Sequence, residues 1–296
     1  MSRSPLRDGL LTAVAPISWG TTYLVTTEFL PPHRPLLAGM LRALPVGMLL
    51  VAPTRELPSG VWWWRILVLG TLNVGAAFAC IFIAAYRLPG GVAATIAAAQ
   101  PCFVLLVAWQ LLAERPSARR VIAACTGFVG VGLLAFAPEA HLDPLGLVAA
   151  VLNPVVIAFG TVLTQHWGRP TSLGAFTGWQ LVVGGLLLVP LAFVIEGPVP
   201  ALTPSNVLAL VYLGLVGTGL AYWLWFRGIE RISASTVTFL VLLVPLVAAG
   251  LDFVVLHRRL TPTQLVGASL VLGSVVAAGP REPAGATLEE AACSSA

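Results

Sequence analysis

The chain reads as an all-α integral membrane protein of ten transmembrane helices, arranged as two five-helix repeats of inverted topology. Three observations predict this. The 296 residues are 58% hydrophobic and only 9% charged, a composition foreign to water-soluble globules of this size. Apolar runs of about 20 residues, the length that crosses a bilayer, follow one another with only short loops between them. The second half of the chain then echoes the first, with Pro101 and Pro245 at the centres of matching runs.

The spans are expected at 9–30, 36–52, 64–85, 92–112, 120–137, 145–164, 173–195, 207–226, 235–256 and 263–278. The first is too long for a cleavable leader and reads as a signal anchor. The second is short and carries Arg42. The third follows Trp62-Trp63-Trp64, an aromatic anchor at the membrane interface. The fourth holds Gln100-Pro101 and ends at Glu114-Arg115-Pro116-Ser117, after which the fifth begins. The sixth holds Asn153-Pro154, the seventh Gln180, and the eighth Tyr222-Trp223. The ninth is built around Val244-Pro245 and ends near Arg258-Arg259, and the tenth is short again. The polar tail, 279–296, is expected to be disordered and cytoplasmic.

All 16 basic residues are arginine. With the N-terminus inside, eleven fall in cytoplasmic segments and four (Arg34, Arg87, Arg258, Arg259) in outer loops, while Arg42 lies within a span. That bias places both termini in the cytoplasm, in a cell (inner) membrane. The arginines are scattered and form no nucleic-acid patch. Cys80, Cys102, Cys125 and Cys293 have no metal or disulfide spacing. No cofactor, metal site, nucleotide-binding loop or nucleophile motif is expected, so the chain does not read as an enzyme.

The repeat, 9–137 against 145–278, runs through five helices of each half. Trp19-Gly20-Thr21 matches Phe159-Gly160-Thr161; Arg42, five before Gly47, matches Gln180, five before Gly185; Pro101 matches Pro245. Five is odd, so the second copy enters the membrane from the other side. Two inverted halves can exchange conformations and open a shared site to each side in turn.

The ordered set of motifs resembles the drug/metabolite transporter superfamily in its EamA-type ten-helix branch. The first half carries Trp19-Gly20, Arg34-Pro35, Arg42, Leu88-Pro89-Gly90-Gly91, Pro101 and Glu114-Arg115. The second carries Trp179-Gln180, Ile232-Ser233-Ala234-Ser235, Pro245 and Thr261-Pro262. The stretch from Trp19 to Pro32 resembles the blue-pigment (indigoidine) exporter-like branch. The pattern's carboxylate before the last helix of each half is Glu114 in the first half, but Arg258 stands there in the second. The resemblance implies export of a small molecule.

Polar and aromatic residues near mid-membrane must face other helices or a cavity, because lipid does not satisfy them. Trp19, Thr22, Asn73, Gln100, Asn153, Gln180, Tyr222 and Trp223 are therefore the candidate substrate-binding residues. Together they suit a neutral or zwitterionic metabolite, amino acid-like or aromatic, better than a phosphate ester. Pro101, Pro154 and Pro245 remove helix hydrogen bonds and are candidate hinges. Glu28, Arg42 and Asp252 are candidates for coupling or pairing, with protons as the coupling ion. Arg42 can pair with Glu28 or a backbone carbonyl, or bind a substrate carboxylate. The partners expected are a small-molecule substrate and the lipid bilayer, with the chain as monomer or homodimer. Import or facilitated diffusion of metabolites, and a non-transporting sensor or assembly subunit, are the alternatives.

Overall fold

A computed structural model describes residues 5–32, 34–88, 90–134, 143–255 and 261–279. Arg258, Arg259, Cys293 and the tail beyond Gly279 lie outside the described residues, as does the side chain of Asp252. The described chain is helix joined by short loops. We label the segments α1 (Pro5–Phe29), α2 (Pro35–Val51), α3 (62–87), α4 (90–112), α5 (Ala118–Leu134), α6 (Pro144–Trp167), α7 (Leu173–Ile195), α8 (Pro204–Arg231), α9 (234–254) and α10 (Pro262–Ala278). Spans within α3, α4 and α6 to α9 are long and apolar enough to cross a membrane, while α2 and α10 are shorter apolar helices. Leu186, Val194, Leu208, Val254 and Val276 stand exposed on the outside, as an acyl-chain surface requires and a water-facing one would not tolerate.

Local chemistry sets the helix starts. Asp143, Thr203 and Thr261 each accept a hydrogen bond from a first-turn N–H, and each is followed by proline at the first helical position. Thr203 with Asn206 and Thr261 with Gln264 form reciprocal capping boxes.

Four helices are irregular in matched places. A π-helical bulge interrupts α3 at Thr71–Gly75, and another interrupts α8 at Leu215–Leu220. The α4 helix breaks between Ala97 and Gln100, one turn before Pro101 can act on it, and α9 tightens into a 3-10 turn at Thr238–Leu242 before Pro245. Proline cannot donate to the preceding turn, and a tighter turn is one way to re-satisfy the backbone there. Pro154 does not have this effect: α6 stays continuous through it.

The packing is symmetric under exchange of halves. The α2 and α7 helices pack together, as do α5 and α10. The contact of α3 with α6 has its counterpart in α8 with α1, and α4 with α6 in α9 with α1. Close approach at the two self-paired contacts needs glycine. A Cβ at Gly47 would lie 2.7 Å from Val182 N, and one at Gly185 2.9 Å from Leu44 N. Gly130 and Gly267 do the same for α5 and α10, each facing the other's carbonyl oxygen.

Candidate functional site

The two bulges organise the centre of the molecule. A π turn inserts one extra residue, which shifts the helix phase and leaves a carbonyl free for a side chain; such bulges recur at functional sites. In α8 the Gly217 carbonyl accepts from Trp19 Nε1 at 3.1 Å and from Arg42 Nη2 at 2.9 Å. Arg42 Nε donates to Thr218 Oγ1 at 2.8 Å, and that hydroxyl donates onward to the Leu213 carbonyl five residues back. So α1 and α2 both dock onto the bulge of α8.

In α3 the related junction is neutral. Asn73 Nδ2 donates to Gln180 Oε1 at 2.8 Å, to Thr164 Oγ1 at 3.1 Å and to the Gly160 carbonyl at 3.4 Å. The Asn73 carbonyl accepts from Tyr222 OH at 3.3 Å. Here α6 and α7 dock onto the bulge of α3, and Gly160 is required because a Cβ would stand 2.2 Å from Asn73 Oδ1.

Aromatic rings fill the space between the junctions. Trp19 lies 5.4 Å from Tyr222 and 5.3 Å from Trp225, and Tyr222 lies 6.4 Å from Phe78 and 5.8 Å from Phe226 between centroids. The Arg42 guanidinium sits 5.4 Å over the Phe78 ring. It is 6% exposed and makes no ion pair among the described residues.

The structure thus brings Trp19, Asn73, Gln180 and Tyr222 together, with Thr22 beside them. Among the described residues the Thr22 hydroxyl is buried and without a hydrogen bond. Asn153 is buried but tied to α3, donating to the Ala77 carbonyl at 2.8 Å. Gln100 is buried on α4 with Nε2 unbonded, outside the hydrogen-bonded cluster. Trp223 does not join it: the residue is 37% exposed, and Trp225, two residues on, takes the place against Trp19. Glu28 is exposed and Arg42 turns instead to Gly217 and Thr218. Among the described residues no group of His, Cys, Asp and Glu converges as metal ligands.

Sequence reasoning missed a second set of residues, at the helix ends. Glu56, just after α2, caps the start of α7: its carboxylate accepts from the Thr171 and Ser172 hydroxyls and the Ser172 N–H. Glu196, just after α7, caps the start of α2, accepting from Leu36 N and Leu37 N at 2.7 and 2.8 Å. The spacing of Glu56 and Glu196 falls within the offset that matches the other repeat pairs, so this signal was available. The hydroxyls of Thr171 and Ser172 hold the Glu56 carboxyl below its ordinary pKa.

Ion pairs tie the same ends. On the face where α1 begins, Asp8 meets Arg227 at 2.7 Å and Arg231 at 3.6 Å. On the opposite face Asp143 meets Arg87 at 3.3 Å. The first joins the start of α1 to the end of α8, the second the start of α6 to the end of α3. The Gly146 N–H, helped by Arg87, holds the Asp143 carboxyl below its ordinary pKa. Glu114 also has a partner, since the Ser235 hydroxyl donates to it across the start of α9.

The described helices form two halves around one central cluster, and sequence comparison finds the same two halves. The EamA-like transporter family matches twice, over residues 9–136 and 144–278. The chain belongs to this family. Protein PecM of Dickeya dadantii is 44% identical over 265 residues, spanning 88% of this chain and 89% of that protein. A probable amino-acid metabolite efflux pump of Salmonella typhimurium is 26% identical, over 91% of this chain and 93% of the pump. A solved crystal structure shares the fold with a TM-score of 0.79 at 22% identity, covering 93% of this chain and 97% of the other. The protein is a multi-pass membrane transporter.

Proposed function

We propose that this EamA-family transporter is a secondary carrier that exports a small metabolite from the cytoplasm by alternating access. The observation that carries the mechanism is the pair of ion-pair ties at opposite faces. Asp8 with Arg227 and Arg231, and Asp143 with Arg87, join equivalent helix ends in the two halves. A carrier with such halves closes one face as it opens the other. In this reading the repeats, 9–137 and 145–278, rock about Pro101 and Pro245, and the Trp19–Tyr222 cluster is exposed to each side in turn. Both termini lie in the cytoplasm, so the Asp8 tie is the inner gate.

The substrate is a neutral or zwitterionic molecule, amino acid-like or aromatic. Five converging rings and several uncharged hydrogen-bonding groups support this reading. The name of the Salmonella relative points to amino-acid metabolites as well. Protons are the proposed coupling ion, with Glu28 and Asp252 as carriers.

Efflux from loaded proteoliposomes tests this with a panel of amino acids and aromatic metabolites, with and without a pH gradient. Gradient-dependent flux of at least one compound is expected. No flux of any compound through correctly inserted protein would sink the carrier reading. If Glu28→Gln and Asp252→Asn both keep gradient-dependent flux, neither carries the proton.

A further inference from the structure

We infer that Arg42 is the receptor for a carboxylate of the substrate, which therefore carries an acid group next to its flat or apolar part. This rests on the carrier reading above and names the chemical class that its central site selects.

Four observations lead there. First, the cation is buried among neutral groups. Its surroundings are Thr218, the Gly217 carbonyl and the Phe78 ring, and no carboxylate reaches it among the described residues. An arginine inside a membrane protein is costly unless compensated, and such residues mark substrate or ion pathways.

Second, the guanidinium is only partly used. Of its five N–H donors, Nε and Nη2 each direct one to the α8 bulge. Nη1 makes no hydrogen bond among the described residues. The three remaining N–H groups belong to Nη1 and Nη2, the end-on fork that matches both oxygens of a carboxylate. The bonds to the bulge hold the fork in place beforehand.

Third, a second donor waits beside it. A Cβ at Gly217 would stand 3.4 Å from Arg42 Nη2 and 3.9 Å from Thr22 Oγ1, so both polar ends border the same glycine. Among the described residues the Thr22 hydroxyl is buried with no partner, an arrangement that costs free energy unless a ligand supplies one. Trp19, Phe78 and Tyr222 border the same place and offer rings for the rest of the molecule.

Fourth, the architecture does not need the charge. The equivalent position in the other half is Gln180, which makes the corresponding dock onto the α3 bulge with a neutral amide. Gln180 docks by accepting through Oε1, whereas the α8 bulge presents a hydroxyl and a carbonyl as acceptors, a task that a neutral amide donor can also perform.

The test compares acids with counterparts that lack the carboxylate, on the full-length protein. L-tryptophan, L-phenylalanine and L-alanine are each measured against the corresponding methyl ester, which keeps the ammonium and side chain but loses the anionic group. Two readouts are used: the ligand-induced shift in melting temperature of the purified protein, and counterflow in proteoliposomes. The wild type should prefer at least one acid over its ester by about tenfold or more in apparent affinity. Arg42→Gln should bring acid and ester to equal apparent affinity in the melting-temperature readout. Arg42→Lys should keep the charge but lose the fork, and hold only part of the preference. Thr22→Val should lower the preference less than Arg42→Gln does.

If the wild type prefers no acid in either readout, the assignment is overturned. A preference that survives unchanged in Arg42→Gln overturns it too. Should Arg42→Gln not fold, Arg42→Lys and Thr22→Val decide, and an unchanged preference in both counts against it. Loss of all flux with acid-selective melting shifts intact would refute the carrier reading and leave the carboxylate site standing.

Discussion

Arg42 and Gln180 do the same structural work in opposite halves with different charge. Each stands five residues before a glycine at the α2–α7 contact, and each reaches a π-helical bulge in the other half. Gln180 meets Asn73, a neutral group that three hydrogen-bond acceptors surround. Arg42 meets a hydroxyl and a carbonyl and has no ion-pair partner among the described residues. The backbone symmetry is nearly intact where the chemistry is not.

The comparison can be broken most severely at the contact the halves share. Gly47→Leu and Gly185→Leu each force a side chain into the α2–α7 contact, and each should cost about 3 kcal/mol. Thermal unfolding in detergent should show similar losses for both, because the contact is reciprocal. A large loss for one and none for the other would show that the halves are not equivalent there.

Next come the bulges themselves. Thr218→Val removes the acceptor of Arg42 Nε and should cost about 2 kcal/mol, as hydrogen bonds to charged groups do. Gln180→Leu removes a neutral partner of Asn73 and should cost about 1 kcal/mol. The same melting measurement ranks them, and the reverse order would mean that the charge at Arg42 is not held by the bulge.

The two faces differ more gently. Asp8 and Arg227 have side chains only 9% and 17% exposed, whereas Arg87 and Asp143 are 47% and 32% exposed. Asp8→Asn should therefore lower the melting temperature more than Asp143→Asn, since screened surface pairs contribute little. Equal shifts would remove the distinction between the two ties.

The smallest effect is one of pH. The folded pKa of Glu56 lies below its ordinary value, so its contribution to stability is complete above that value. It is lost as pH falls from the ordinary glutamate pKa through the lower folded one. Glu56→Gln should flatten the acid limb of the melting curve without changing the neutral region. An acid limb that stays as steep would place the loss in other carboxylates.

Much of this was legible in the one-dimensional pattern. Pro101 and Pro245 marked two real irregularities, and Gly47 with Gly185 marked a real helix contact. Arg42 and Gln180, paired by the repeat in the sequence, each reach a π-helical bulge. What the pattern did not contain was the side-chain phase around α8. Trp223 and Trp225 are two residues apart, about 200° around a helix, so only one of them faces inward. The bulge at Leu215–Leu220 inserts a residue just before them and moves the phase by about 100°. No periodicity argument sees that insertion, and the ring at 223 therefore faces out and the ring at 225 faces in. Glu56 and Glu196 escaped for another reason: they lie in loops, outside the apolar runs that drew attention, although their spacing fits the repeat.

The sequence by itself determined that this is a membrane protein of two related halves. A bilayer core leaves the backbone no partner but itself, so length and apolarity of each run suffice to show a helix. Only the tertiary structure decided which side chains meet at the centre. That choice depends on helix phase, set by two bulges, and on close glycine contacts between segments far apart in the chain. These are properties of packing, and no single run of residues records them.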